Sequence, residues 1–144
     1  MYLHSFSGTD FTETTEKTIL AQGEMMSTNM VANYMKEQGI NAVLLNALDF
    51  MRTDKNSEPD PSYIKEKLTK ILEENKGAQV YITQGFICRN AYGEIDNLQR
   101  GGSDYTASLI GAAINAIFSG LFIAIFFGTS SPNTSEKYDI ISVI

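Results

Sequence analysis

The sequence has few of the side chains from which nucleophilic and metal sites are usually built. Its 144 residues include one cysteine, Cys88, and one histidine, His4. One cysteine cannot form an internal disulfide, and one histidine cannot supply a metal cluster or a serine–histidine relay. We therefore interpret Cys88 as structural, predict no metal-binding cluster, and expect a cytoplasmic protein.

Positive charge is also scarce. The chain has 11 Lys and Arg against 17 Asp and Glu, which gives a formal net charge of −6. With no basic patch to offset this balance, we expect no nucleic-acid surface. Apolar residues make up 43% of the sequence, enough for one domain with a single core. The N-terminal stretch MYLHSFSGTDF lacks the basic and apolar regions of a secretory signal.

The first part of the chain has the apolar spacing of helices. Thr12 or Thr14 can cap a helix, and Gly23 is expected to interrupt it. A second helical stretch then runs up to Gly39, a residue type that commonly follows a helix end. Four apolar side chains recur in this stretch at helical spacing and are expected to contact the core. They are Met26, Met30, Val31 and Tyr34.

The middle of the chain predicts two strands around a helix. Residues 40–45 form a continuous apolar run, which is typical of a buried strand in a parallel sheet. Residues 53–61 are a polar loop, after which Pro61 can open a helix that Gly77 ends. A second apolar strand follows at residues 80–82. This alternation predicts an α/β fold with a largely parallel sheet covered on both faces.

Residues 107–128 are almost uncharged and are long enough to span a bilayer. A membrane helix is therefore one interpretation, and with it a membrane-anchored protein. We favour a buried helix up to Gly120 and a buried central strand over residues 121–127, because the second part is rich in β-branched and aromatic residues. The flanking loops also lack the Lys and Arg bias of membrane ends. No membrane partner is expected.

Residues 80–113 carry the clearest candidate site. After the strand and Gly85, a turn-rich excursion resembling a hairpin leads through Arg100-Gly101-Gly102-Ser103-Asp104 into a helix. Adjacent glycines before a helix let backbone N–H groups converge on an anion, and an arginine beside them can grip a carboxylate or phosphate. Alternatively, the segment is only a tight turn in which Ser103 or Asp104 caps the helix.

Two ordered blocks resemble one known family. TQGFI (residues 83–87) followed by RGGSDYTA (residues 100–107) is similar to aspartate kinases, members of the amino acid kinase family. Upstream, Gly23-Glu24 followed by Ser27-Thr28 resembles that family's GE-x-x-S-T segment. The resemblance implies an incomplete three-layer αβα sandwich with a mainly parallel sheet. All 144 residues would form part of one catalytic domain, with the resemblance strongest over 17–120 and divergent over 121–144.

The same resemblance implies a reaction. Aspartate kinases use ATP with Mg to phosphorylate the side-chain carboxylate of L-aspartate, which yields 4-phospho-L-aspartate for lysine, threonine and methionine biosynthesis. Glu24 would hold the substrate ammonium group and Arg100 its α-carboxylate. Four residues would line or pack beside the substrate, namely Phe86, Gly101, Gly102 and Ser103, and Asp104 would be the catalytic residue that organises the phosphate-side cation. Glu24 could instead be an ordinary first-turn helix residue. A homo-oligomer is also expected.

The departures from the family concern its phosphate side. The 144 residues contain no K-F-G-G-T-S segment and none of the regulatory ACT domains, and residues 126–132 replace the family's nucleotide segment. Gln99 also stands where the family has glycine. The nucleotide-binding residues therefore stay unassigned, and we expect weak or no kinase activity from this chain alone. The alternative is a noncatalytic module for amino-acid binding or subunit association.

Overall fold

The computed structural model describes residues 11–98, 102–114 and 140–143. Within these ranges lie three α-helices, a short 3-10 helix and five strands. The helices are α1 (Glu13–Glu37), α2 (Pro61–Glu74) and α3 (Gly102–Ala113), and the 3-10 helix is Ala47–Asp49. The strands are β1 (Ala42–Leu45), β2 (Val80–Gln84), β3 (Ile87–Arg89), β4 (Ile95–Asn97) and β5 (Ile140–Val143).

The main sheet is parallel, as the sequence predicts. Its strand order is β1-β2-β5, with Leu44 opposite Ile82 and Ile82 opposite Ile141. Strands β3 and β4 pair antiparallel and form the hairpin expected after β2. Because parallel strands end on the same edge of a sheet, β1 and β2 place the loops that follow them side by side.

Helices cover the sheet on both faces. On one face, Ile82 of β2 and Ala42 of β1 pack against Ala32 of α1. On the other face, Tyr81 packs in the larger core cluster with Leu68 of α2, and helices α2 and α3 contact each other on this side. Alternation of side chains along β2 separates the two clusters. The three-layer αβα arrangement implied by the resemblance is confirmed.

Helix α1 is continuous through Gly23, so the predicted interruption is wrong. Thr12 caps it by accepting a hydrogen bond from the Thr15 backbone N–H at 3.2 Å, and Gly39 follows its end with a φ of +78°. A helix-interior glycine costs only about 1 kcal/mol relative to alanine, and 25 residues of otherwise helical chain outweigh that cost. Gly23 therefore weakens the helix without ending it.

The expected core contacts of α1 are also partly wrong. Met26, Met30 and Tyr34 have 66%, 71% and 62% of their surface exposed, whereas Val31 is partly buried against the sheet. The buried residues of the helix are instead small ones. They are Ala21, Thr28 and Ala32. Small side chains let α1 lie close to the sheet, whereas Met26, Met30 and Tyr34 face outward.

An ion pair ties the hairpin to α1. Lys17 Nζ lies 2.8 Å from Asp96 Oδ1 on β4 and 2.8 Å from Glu13 Oε1 on its own helix. The hydrogen bonds to Asp96 and then to Glu13 raise the Lys17 pKa, so the ammonium group stays charged. Cys88 of β3 is fully buried, and burial raises the pKa of its thiol to about 12. Its structural interpretation is thereby supported.

The apolar stretch 107–128 is described only in part. Helix α3 ends at Ala113, and the strand expected over residues 121–127 lies outside the described residues, as do His4 and residues 126–132. In the part of the chain that the structure describes, no helix has both the length and the apolar character needed to cross a membrane.

Replacing Gly23 inside α1 and Gly39 after its end with alanine tests the continuity of this helix. Gly23→Ala should raise the free energy of unfolding by about 0.5–1 kcal/mol, because alanine is the better helix former and no atom lies within 4 Å of the added Cβ. Gly39→Ala should lower the free energy of unfolding, because Gly39 has a positive φ. Urea denaturation of both variants provides the measurement, and destabilisation by Gly23→Ala would contradict the continuous helix.

Candidate functional site

The turn that follows β2 brings the sheet edge against the start of α3. A Cβ placed on Gly85 would lie 2.6 Å from Ser103 Oγ and 2.9 Å from Ser103 Cα, so glycine is required for this approach. Phe86, the next residue, has a φ of +67°, which is uncommon for any residue with a side chain. Such backbone strain is a frequent feature of functional sites. Phe86 and Ser103, both predicted site residues, are thus neighbours of one glycine.

Hydrogen bonds hold Phe86 in this conformation. Its backbone N–H donates to Thr106 Oγ1 at 3.0 Å, and its carbonyl accepts from the Leu98 N–H at 2.8 Å. The Thr106 hydroxyl donates in turn to the Gly102 carbonyl at 3.2 Å. The Phe86 ring lies 3.8 Å from the position that a Cβ of Gly102 would occupy. Thr106 therefore links the turn after β2 to the first turn of α3.

The glycine-rich segment is described from Gly102 onward. Gly102 has a φ of +45° and is the first residue of α3, so Ser103 and Asp104 lie inside the first turn. The alternative in which either one is the N-cap is therefore wrong. The Asp104 side chain is exposed, in the turn where a carboxylate complements the helix dipole. Arg100 and Gly101 lie outside the described residues, as does Gln99.

Glu24 has an unusual environment for a helix glutamate. It lies near the middle of α1, so its interpretation as a first-turn residue is wrong. Its Oε2 atom is buried and has no hydrogen-bond partner among the described residues. Burial raises the pKa of this carboxyl. A buried carboxylate oxygen without a partner is costly, and a cationic ligand would remove that cost.

A chain of buried hydrogen bonds connects Glu24 to the end of β2. Gln84 is 1% exposed, and its side-chain Oε1 accepts from the Ala47 N–H at 2.8 Å. Its Nε2 donates to Thr28 Oγ1 at 2.9 Å. The Thr28 hydroxyl donates to the Glu24 carbonyl at 2.8 Å. Gln84 thereby fixes this turn of α1 beside the carboxyl ends of β1 and β2.

Sequence reasoning assigned no role to Gln84, Thr28 or Thr106. Each belongs to one of the two motif blocks, in TQGFI, in the Ser-Thr pair after Glu24, and in RGGSDYTA. The signal in the sequence that could have identified them is that each is a polar residue at a position where a strand or helix otherwise carries apolar side chains. Their partners lie 56 and 20 residues away along the chain, and only the fold shows them.

The arrangement pairs two kinds of electrostatic site at one edge of the sheet. Glu24 offers an unpartnered carboxylate, suited to an ammonium group. The first turn of a helix has backbone N–H groups without intrahelical partners, and at the start of α3 such groups would suit an anion. Across the described ranges no cluster of three or more His, Cys, Asp or Glu side chains is placed to bind a metal ion. The two positions thus suit groups of opposite charge.

Comparison with known proteins places the chain among kinases of amino acids. The model of the amino acid kinase family matches residues 6–123. The chain is 34% identical over 96 residues to the bifunctional aspartokinase/homoserine dehydrogenase 2 of Escherichia coli. The aligned residues make up 65% of this chain and 12% of that enzyme. The chain is also 34% identical over 101 residues to the E. coli lysine-sensitive aspartokinase 3, covering 68% of the chain and 22% of the enzyme.

Solved structures give the same result. The crystal structure of E. coli aspartokinase III in complex with aspartate and ADP has a TM-score of 0.64 and 33% identity, over 72% of this chain and 24% of that one. The Clostridium acetobutylicum aspartate kinase has a TM-score of 0.56 and 29% identity, over 66% and 20%. The chain thus spans about a quarter or less of these relatives. The matched family model, the sequence identity and the shared fold together show that the chain belongs to the amino acid kinase family.

Proposed function

We propose that this chain contributes the amino-acid side of a kinase that uses ATP to phosphorylate the side-chain carboxylate of L-aspartate. The main support is the carboxylate of Glu24, whose Oε2 atom is buried and has no partner among the described residues. Hydrogen bonds through Thr28 and Gln84 fix this part of α1 at the edge of the sheet where α3 begins. The E. coli relative was crystallised with aspartate and ADP, which supports this substrate and a nucleotide co-substrate. The reaction product would be 4-phospho-L-aspartate.

Glu24 would bind the substrate ammonium group. In the free protein its burial disfavours the ionised form, which is why its pKa is raised. An ammonium group within hydrogen-bonding distance favours the ionised form, so aspartate binding should lower the Glu24 pKa. Molecules in which Glu24 was protonated would then release that proton. Selectivity follows from this pairing, because an acid without the ammonium group leaves the buried carboxylate unpartnered.

The start of α3 would bind the negative parts of the substrates. Backbone N–H groups at Gly102 and Ser103 can face an oxyanion, and Phe86 supplies an apolar wall beside them. By resemblance, Arg100 and Gly101 extend this surface, with the Arg100 guanidinium on the substrate α-carboxylate. The attacking carboxylate is already an anion and needs no general base, so positioning and charge neutralisation would carry the catalysis.

ATP with Mg is the expected phosphoryl donor. When bound, the magnesium ion would neutralise charge on the transferred phosphoryl group. Asp104 fits a role beside that cation, because its carboxylate is exposed in the first turn of α3 and has no partner in the described ranges. Lys17 is held by Glu13 and Asp96, and Lys65 is exposed on α2, so neither replaces the family's phosphate-binding lysine. A cytoplasmic location is proposed with this activity.

Substitution of Glu24 tests the ammonium site. Glu24→Gln should weaken L-aspartate binding by about tenfold or more at neutral pH, because a charge-assisted hydrogen bond contributes about 1.5–3 kcal/mol. Arg100→Ala should weaken it similarly. Affinity of the parent for L-aspartate should fall as the pH drops through the raised Glu24 pKa, because the protonated carboxyl loses its attraction for the ammonium group. Calorimetric titrations at a series of pH values at which free aspartate itself does not titrate provide the measurement.

Two controls separate this effect from unfolding. Glu16→Gln makes the same change at an exposed position of α1 and should leave aspartate affinity within about twofold of the parent. A raised folded-state pKa means that the parent loses stability as the pH rises from the unfolded pKa through the folded pKa, and Glu24→Gln avoids this loss. The variant should therefore melt no lower than the parent at pH 7. Equal aspartate affinity in Glu24→Gln and parent would remove the site assignment.

Catalysis is tested apart from binding. We expect the isolated chain to bind L-aspartate but to release ADP from Mg-ATP slowly or not at all, because removing one preorganised phosphate donor commonly costs about a hundredfold in rate. A coupled ADP-release assay with and without L-aspartate measures this. Slow ADP release that depends on L-aspartate supports the kinase, whereas aspartate binding with no release above the ATP-only background favours the noncatalytic amino-acid-binding or association module. Turnover near that of an intact aspartokinase would contradict the expected weak activity.

Self-association is a further part of the proposal. Met26, Met30 and Tyr34 expose apolar surface on one helix, and a homo-oligomer would bury it. Met30→Glu should shift the chain toward monomer in sedimentation velocity at matched concentrations, because it places a charge in that surface. Ser62→Glu, which adds the same charge at an exposed polar position of α2, should change the distribution little. An unchanged distribution in Met30→Glu would exclude this face as the contact.

A further inference from the structure

A pocket beside the hairpin is lined by none of the residues assigned to aspartate. It is a cavity of about 250 Å³ between the 3-10 helix, the first turn of α2 and the β3–β4 turn. Leu48 and Met51 form its apolar part, Tyr63 and Tyr92 flank it, and Arg52 and Arg89 supply its charge. None of its lining residues is acidic. In a chain of net charge −6, two arginines without a carboxylate in one cavity are unexpected.

Backbone pairing places the two arginines together. Arg52 and Arg89 form an isolated parallel β-bridge, and the Thr53 N–H donates to the Arg89 carbonyl at 2.9 Å. The Arg89 N–H donates to the Met51 carbonyl, also at 2.9 Å. Paired positions on neighbouring strands direct their side chains to the same face. The backbone therefore directs both arginine side chains to the same face, and both line the cavity.

Arg89 is held in place by its own hydrogen bonds. Its Nε donates to the Leu48 carbonyl at 3.1 Å, and its Nη1 donates to the Gly93 carbonyl at 2.7 Å. These bonds use nitrogens on opposite sides of the guanidinium group and connect the 3-10 helix to the hairpin turn. The second terminal nitrogen, Nη2, makes no hydrogen bond in the described ranges and can donate into the cavity.

Arg52 has a packing partner but no acceptor. Its guanidinium carbon lies 4.9 Å from the centre of the Tyr63 ring, which fixes the group by stacking. Within the described part of the chain, no carboxylate or carbonyl accepts a hydrogen bond from it. Lys67 lies 5.5 Å from the same ring, but Glu66 neutralises it at 3.2 Å. Neither arginine of the cavity has a carboxylate partner in the described ranges, and Arg52 also lacks the carbonyl acceptors that hold Arg89.

We propose that this cavity binds a small molecule carrying an oxyanion, either a carboxylate or a phosphate, on a flat apolar body. The Arg52 fork and Nη2 of Arg89 bind the oxygens, since planar guanidinium groups match carboxylate and phosphate geometry. Leu48 and Met51 contact the apolar body, with Tyr92 at the open side. The inference is independent of the proposed aspartate site, because the two sets of residues do not overlap.

Three probes test the proposal with the whole 144-residue chain. Phenyl phosphate and benzoate carry the two head groups on the same ring, and inorganic phosphate lacks the ring. We expect saturable calorimetric binding of phenyl phosphate or benzoate, with inorganic phosphate several-fold weaker than phenyl phosphate because it makes no apolar contact. The tighter of the two ring compounds identifies the head group. Absence of saturable binding by both would overturn the proposal.

Variants assign the binding to the cavity. Arg52→Gln should weaken the better ring probe by about tenfold or more, because it removes the charged fork. Lys65→Gln removes the same charge from an exposed position of α2 and should keep the affinity within about twofold. When the better ring probe is added to the parent chain, the changes in amide chemical shift should be largest at Ala91 and Gly93. This measurement uses no variant, so it does not depend on variant stability. Equal probe affinity in Arg52→Gln and Lys65→Gln, or chemical-shift changes centred on other residues, would overturn the assignment.

Discussion

The candidate site depends on the close contact between the end of β2 and the start of α3. Because position 85 has no side chain, the Ser103 backbone lies where a larger residue would need its Cβ. The chain then turns through Phe86, which has a positive φ. The Thr106 hydroxyl holds that turn by accepting a hydrogen bond from the Phe86 N–H. The hairpin therefore leaves the sheet at once, and the first turn of α3 lies beside the sheet edge instead of beyond the hairpin.

Two buried polar side chains near that contact differ in how their hydrogen bonds are satisfied. Gln84 uses both ends of its amide within the protein, on Ala47 and Thr28, and so joins three elements. Glu24, one helical turn from Thr28, has a carboxylate oxygen that the described residues do not satisfy. The first pattern stabilises the fold, and the second is a cost that a ligand can remove. Their adjacency supports a rigid site with one open position.

Much of the fold was predictable from local sequence, because periodicity and caps specify elements directly. The apolar runs predicted β1 and β2, and Pro61 marked the start of α2. Which stripe of α1 faces the sheet was not predictable, since both Ala21-Thr28-Ala32 and Met26-Met30-Tyr34 have helical spacing. Close packing selected the smaller side chains.

The candidate site was predictable only where a motif carries it. Phe86, Gly102 and Ser103 were recognisable in the two blocks, and the structure brings them together. The partners of Gln84 and Thr106 depend on chain segments brought together by the tertiary fold, and the Arg52–Arg89 pair joins positions 37 residues apart. Contacts of this kind follow from strand order and helix placement, which local patterns do not specify.

The continuity of α1 has a mechanical consequence. Lys17 and Glu24 are seven residues apart, two helical turns or about 10 Å along one face. The first is joined to the hairpin through Asp96, and the second carries the open carboxylate. Since Gly23 leaves the helix unbroken between them, any displacement of the hairpin moves the carboxylate as part of the same rigid rod. The positions of the hairpin and of this carboxylate are therefore coupled through a single helix.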